Sequence, residues 1–102
     1  MSKAERKRFK IGEVKEEVFD RDEWTCQVCG MPVTTETAQL AHRIPQSKVN
    51  IKKFGEEIIH HPLNMLTVCC LRCNNVVQVN APLLQEQIER EIYDEIKAQF
   101  IY

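Results

Sequence analysis

Cys26-Gln27-Val28-Cys29 and Cys69-Cys70-Leu71-Arg72-Cys73 hold all 5 cysteines of this 102-residue chain in two tight groups. Two close pairs about forty residues apart match one tetrahedral zinc site, which clips two distant pieces of chain together. Cys26 and Cys29 have the common knuckle spacing, and Gly30 just after them suits the tight turn, because a residue without Cβ takes positive φ readily. In the second group Cys70 with Cys73 and Cys69 with Cys73 are both acceptable ligand spacings, so the spacing alone leaves that choice open. A redox C-x-x-C would need a βαβ context and would not account for two clusters. Four thiolates leave no open coordination position, so such a zinc is structural.

Between the cysteine groups lie Ala41-His42-Arg43-Ile44-Pro45 and Pro62-Leu63-Asn64-Met65-Leu66. Held between two clips, His42 and Asn64 make a candidate reaction centre. A chain of 102 residues is one domain with a modest core, and a metal clip supplements hydrophobic burial at that size. No apolar run approaches the roughly 20 residues that span a bilayer, so no membrane partner is expected. The polar, basic start has no apolar signal core, so a cytoplasmic protein with reduced thiols is expected. An odd cysteine count also argues against a complete disulfide set.

Net charge is −1, which excludes a uniformly basic nucleic-acid binder, but the charges are segregated. Lys3, Arg6, Lys7, Arg8 and Lys10 make a basic arm, and Arg43, Lys48, Lys52 and Lys53 fall in a stretch without acids. The C-terminal stretch carries Glu86, Glu89, Glu91, Asp94 and Glu95. A basic face can meet phosphates while an acidic face turns away.

The expected organisation is a basic arm at 1–12, a domain with zinc knuckles at 13–80, and an amphipathic helix at 81–102 packed on the same domain. Val14, Val18 and Phe19 suggest a short helix over about 12–22 leading into the first cysteine pair. Gln39 to Ile44 reads as a strand ended by Pro45, and Met65 to Cys69 as a second. Gln46 to Pro62 reads as a long connection with a helical turn near Ile51 to Phe54. Cys73 and Asn74 are expected to open a helix. In the last segment Asn80 suits an N-cap and Pro82 a first turn, while Leu84, Ile88, Ile92, Ile96 and Phe100 recur every four residues. That stripe packs on the core or forms a homodimer.

In this order the blocks resemble the HNH nuclease family, of the ββα-metal type braced by a four-cysteine zinc site. The resemblance runs from about Val14 to Val76. Phe19 to Gly30 resembles the family's helix running into its first knuckle, and His42-Arg43-Ile44-Pro45 the block with the first motif residue. Pro62 to Cys69 resembles the block with the middle asparagine, and Cys73-Asn74-Asn75 the end of the motif. The resemblance implies an α+β fold: a small ββα-metal core, a structural Zn²⁺ and flanking helices. It implies a divalent-metal-dependent endonuclease hydrolysing DNA phosphodiesters. His42 would be general base, Asn64 would bond loop backbone, and Asn74 would be an oxygen ligand for a catalytic divalent cation, Mg²⁺ or another, with Asn75 its competitor. Phosphate contacts would come from Arg43, Lys48, Lys52 and Lys53. Family spacing favours Cys69 over Cys70 beside Cys26, Cys29 and Cys73 as zinc ligand, with one extra residue between Asn64 and Cys73. The chain departs from the pattern at Ala41, where many members place Asp or His on the metal. The ion would then rest on more water, or on His60 or His61, and Ala41→Asp would add a ligand. The rival readings are a zinc-stabilised nucleic-acid-binding module that does not cut, and a protein-interaction domain using the C-terminal helix.

Overall fold

Asn64, fully buried, decides where the first strand stops. In the computed structural model, which describes residues 14–99, strand β1 (Gln39–His42) ends at His42 rather than at Ile44. Arg43 N–H still donates across to the Asn64 carbonyl at 2.7 Å, but Asn64 N–H turns back to the His61 carbonyl at 2.9 Å and Ile44 N–H donates to Asn64 Oδ1 at 2.8 Å, so the ladder ends there. β1 pairs antiparallel with β2 (Met65–Val68), Gln39 opposite Val68 and His42 opposite Met65. The expected basic arm at 1–12 and Phe100 lie outside the described residues.

The connection between the strands is more helical than expected. It folds as α2 (Lys48–Phe54), α3 (Glu56–Ile59) and a 3₁₀ turn (Pro62–Asn64). Ser47 Oγ accepts the Asn50 N–H at 3.1 Å and caps α2. Gly55, at φ 90°, ends α2 and starts α3, a backbone setting that favours glycine. His61 Nδ1 accepts the Leu63 N–H at 3.2 Å and caps the 3₁₀ turn. The signal was present in the sequence: a serine cap followed by Ile51, Phe54 and Ile58 at helical spacing.

α4 (Leu71–Val77) starts at Leu71, two residues before the expected Cys73, with Cys70 at its N-cap in extended backbone. It packs on both strands. The last helix, α5 (Pro82–Gln99), begins at proline, so Ala81 rather than Asn80 takes the cap position. Ile88 and Ile92 are buried against Ile44, Phe54, Ile58 and Ile59, with Ile96 packed alongside. Each fully buried isoleucine contributes about 1.5–3 kcal/mol. Leu84 falls off this stripe, at 50% exposure. Gln85 turns inward instead, and its Nε2 donates to the Val79 carbonyl at 2.7 Å.

The chain is helical from residue 14 to 21 (α1), burying Val18 and Phe19. The end of α1 is tied to β2: Arg21 donates to the Pro62 and Met65 carbonyls at 2.9 and 2.7 Å, and Asp22 Oδ2 accepts the Thr67 N–H at 2.9 Å. Glu23 and Trp24 then take left-handed backbone, φ 55° and 52°. The Trp24 indole N–H donates to Asp20 at 2.9 Å and its ring tilts on Phe19, which holds that turn and aims the chain into the first cysteine pair.

Candidate functional site: a four-thiol centre and a histidine cleft

Around Cys26 the backbone forms a knuckle. Cys26 N–H donates to Met31 at 2.8 Å, Gly30 N–H to Cys26 at 2.9 Å, and Cys29 N–H points at Cys26 Sγ from 3.5 Å, with Gly30 at φ 79°. Gln27 N–H donates to the Thr67 carbonyl at 2.9 Å and joins the knuckle to β2. The second half comes from the bend after β2 and from α4. The ligand atoms of Cys26, Cys29, Cys69 and Cys73 all lie within 4.8 Å of one another. Zinc with Zn–S bonds near 2.3 Å sets a tetrahedral S–S edge of about 3.8 Å. Cys29 to Cys69 is 3.5 Å and Cys69 to Cys73 is 3.8 Å, so the four cysteines are positioned to hold a metal ion and fit zinc.

Cys70 is not one of the four, although its Sγ lies 3.7 Å from that of Cys69. Its backbone serves as the cap of α4, with Asn74 N–H donating to its carbonyl at 3.0 Å. The thiols share charge unequally. Burial opposes the Cys26 thiolate, but backbone N–H groups of Cys29 and Val28 outweigh it and lower that thiol to about 6. Cys69 is pushed up by hydrogen bonding to Cys29 and then by burial, and burial pushes Cys73 up to about 12. A bound cation would favour all four thiolates together.

Near β1 lies a cleft of about 500 Å³ lined in part by Lys15, His42, Gln46, His60, Met65 and Asn74. His42 is half-buried, and its Nε2 is sealed from water without a hydrogen-bond partner. Burial, then repulsion from the charge on His60, lowers His42 to about 4, so it is neutral at physiological pH. The His60 ring stands edge-on to His42, centroids 5.7 Å apart at 77°. Asn74 Nδ2 donates to the Leu40 carbonyl at 3.3 Å, which fixes the carboxamide. Asn75 is exposed and does not line the cleft.

Asn64 stands outside the cleft, as a loop staple. Its Oδ1 takes the Ile44 N–H, and its Nδ2 donates to the Ile44 and Ile59 carbonyls at 3.2 and 2.8 Å. Ala41 is fully buried among Cys26, Val68 and Cys73 rather than lining the cleft. An acid at this position would bring a carboxylate into that buried cluster. Among the described residues, no Asp or Glu lines the cleft. The described donors are His, Asn and Gln side chains with the Lys15 ammonium, a set that brings no negative charge toward a cation. His61 is spent on its cap, whereas His60 faces the cleft.

Arg43 donates to the Leu63 carbonyl at 3.1 Å and lies 3.6 Å from Glu91. Lys48, Lys52 and Lys53 are exposed on α2, with Lys53 Nζ 5.0 Å from the Phe54 ring centre. Lys15 and Gln46 were not singled out from the sequence, and no local pattern marks them, because only the fold brings α1 and the residue before the Ser47 cap to this cleft. No helix among the described residues is long and apolar enough to cross a membrane. No family model, curated protein or solved structure matches the chain.

Proposed function

We propose that the protein is a divalent-metal-dependent endonuclease acting on DNA phosphodiesters, resembling HNH nucleases, with its four-cysteine centre holding a structural zinc. The observation that carries the reading is one cleft lined by both His42 of β1 and Asn74 of α4, on a strand pair and helix clipped by the four thiols. His42, kept unprotonated by its burial, takes a proton from the attacking water. Asn74 offers an oxygen toward a divalent ion, and Lys15 offers an ammonium to a phosphate oxygen. A bound divalent ion would supply charge stabilisation at the phosphate and the leaving oxygen. Asn64 holds the loop after β1 and so fixes the direction of His42.

The test is plasmid cleavage with Mg²⁺, Mn²⁺ or Ni²⁺. His42→Ala is expected to lower the rate by about 10²–10⁴ while leaving DNA binding nearly unchanged. Equal cleavage by His42→Ala would remove the residue assignment. The second reading is a zinc-stabilised nucleic-acid-binding module that does not cut. The specific observation in its favour is that no carboxylate is among the described residues lining the cleft. Wild-type protein that binds DNA and cuts nothing with any of the three ions would establish it.

A further inference from the structure

We propose that the cleft is an anion site before it is a cation site: Lys15 anchors one phosphate of DNA, and that phosphate supplies the negative charge that a divalent ion needs there. The proposal rests on reading the cleft as the place where nucleic acid binds. It adds the order in which the ligands assemble and the residue that sets that order.

Three observations carry it. First, Lys15 brings an ammonium to the cleft, and among the described residues no ion pair or hydrogen bond engages it. An ammonium without a carboxylate partner attracts an anion and repels a cation. Second, the other polar groups of the described lining are the amides of Gln39, Gln46 and Asn74 and the imidazoles of His42 and His60, none of them anionic. Asn74 spends Nδ2 on the Leu40 carbonyl at 3.3 Å, which leaves its carboxamide oxygen as the end open to a ligand. Hard divalent ions are held tightly where carboxylates supply the oxygens.

Third, the carboxylates of the neighbouring helices gather elsewhere. Burial lowers the His61 pKa, and Glu95 of α5, Glu17 of α1 and Glu57 of α3 act against that lowering. Neither His61 nor any of these three acids is among the described residues lining the cleft. Ala41 offers no ligand and is buried against the cysteines.

One phosphodiester changes this balance. One of its anionic oxygens meets the Lys15 ammonium, and the other is left to face the side of the cleft that holds the Asn74 oxygen. A cation then meets an anionic oxygen and a neutral one together, where the free protein offers only the neutral one. Coupling between two ligands is reciprocal: DNA raises the affinity for the cation by the same factor as the cation raises the affinity for DNA. Lys15→Glu should invert the order, because it repels phosphate and puts a hard anionic ligand in the cleft.

The test reads the cation in the cleft directly. The chain has 3 histidines, so their ring-proton signals are assigned by substitution. Mn²⁺ in the cleft broadens the His42 signals. The probe is a short phosphorothioate duplex, which resists cleavage, and its affinity is measured by fluorescence anisotropy with and without Mn²⁺. Zinc-loaded wild type, Lys15→Gln and Lys15→Glu are compared. Lys15 is exposed, and circular dichroism verifies that both variants fold.

Without duplex, wild type is expected to show no saturable broadening of His42 below about 1 mM Mn²⁺. With duplex, broadening should saturate at a concentration lower by about tenfold or more, and Mn²⁺ should tighten duplex binding by the same factor. Lys15→Gln should weaken duplex binding without Mn²⁺ and lower the slope of log K against log salt by about 1. Lys15→Glu should show saturable broadening of His42 with no duplex present. Free wild type that binds Mn²⁺ in the cleft as tightly as its duplex complex would overturn the proposal, and so would a duplex complex that shows no broadening. Duplex binding unchanged in both Lys15 variants would overturn it as well. Plasmid cleavage by the same preparation would leave the nuclease reading standing in each of those cases. Duplex-dependent broadening with no plasmid cleavage under Mg²⁺, Mn²⁺ or Ni²⁺ would support the proposal and remove the nuclease reading.

Discussion

The side chain of Asn64 and the backbone of Ile44 exchange two hydrogen bonds, Ile44 N–H to Oδ1 at 2.8 Å and Nδ2 to the Ile44 carbonyl at 3.2 Å. The pair imitates one rung of a sheet. It ends β1 where the backbone would otherwise have no partner, and it sets the direction of His42 two residues earlier. Asn64→Ala would leave buried groups of Ile44 and Ile59 unpaired and should destabilise the protein by about 2–3 kcal/mol in urea denaturation. Asn64→Asp should cost at least as much, because a carboxylate cannot donate to the two carbonyls. Near-wild-type stability in both variants would show that the loop is held by other contacts.

The four-thiol centre makes unequal demands on adjacent cysteines. Cys69→Ser should lower zinc content well below one per chain and melt much of the secondary structure, because metal affinity is part of the folding free energy. Cys70→Ser should keep zinc and fold, since it contributes backbone to the cap of α4 and no ligand to the group of four. Metal analysis with circular dichroism measures both, and the reverse ranking would place Cys70 in the coordination shell.

Ala41→Asp tests the floor of the sheet. The carboxylate enters a cluster of Cys26, Val68 and Cys73 where Ala41 has no exposure at all. Burying it without a partner should lower stability by several kcal/mol, on the order of 2–5. A thermal midpoint equal to wild type would mean that position 41 opens toward water or an ion.

Asp22 should make stability pH-dependent. Burial raises its pKa, but the hydrogen bonds from Arg21 and Thr67 outweigh that effect and hold it below 3.8. The folded value is therefore the depressed one. Its stabilisation is present above the unfolded carboxylate range and is lost as pH falls through the folded value. Asp22→Asn should cost about 1–2 kcal/mol at pH 7, and the gap from wild type should shrink below about pH 4. A gap that stays constant down to pH 2.5 would assign the loss to packing.

Salt dependence tests the exposed lysines of α2. If Lys48, Lys52 and Lys53 meet phosphates, neutralising all three to Gln should weaken DNA binding and lower the slope of log K against log salt by about 2–3. Arg43→Gln should change the slope less, since Arg43 is already held by the Leu63 carbonyl. An unchanged slope in the triple variant would move the contact to another surface.

Much of the architecture can be read from local chemistry. Cysteine spacing, the Gly30 turn and the four-residue recurrence of Ile88, Ile92 and Ile96 each follow from rules that act within a few residues. They led to the knuckles, the strand pair and the terminal helix before any long-range contact was known. Ser47 and Gly55 marked α2 and α3 just as locally, and the long connection hid them because its apolar residues look sparse without the Ile88 and Ile92 face they pack on. Family spacing favours Cys69 over Cys70, and the fold places Cys69 in the thiol cluster, because α4 begins at Leu71 and turns Cys70 into a cap. Tertiary structure alone decided two further matters. It buried Ala41 beside the cysteines and left no acid among the described residues that line the cleft. It set His60 beside His42, eighteen residues earlier in the chain, with Lys15 from α1 in the same cleft. Proton transfer and charge act across a few ångströms of space, and distance along the chain does not reveal them until the backbone has closed.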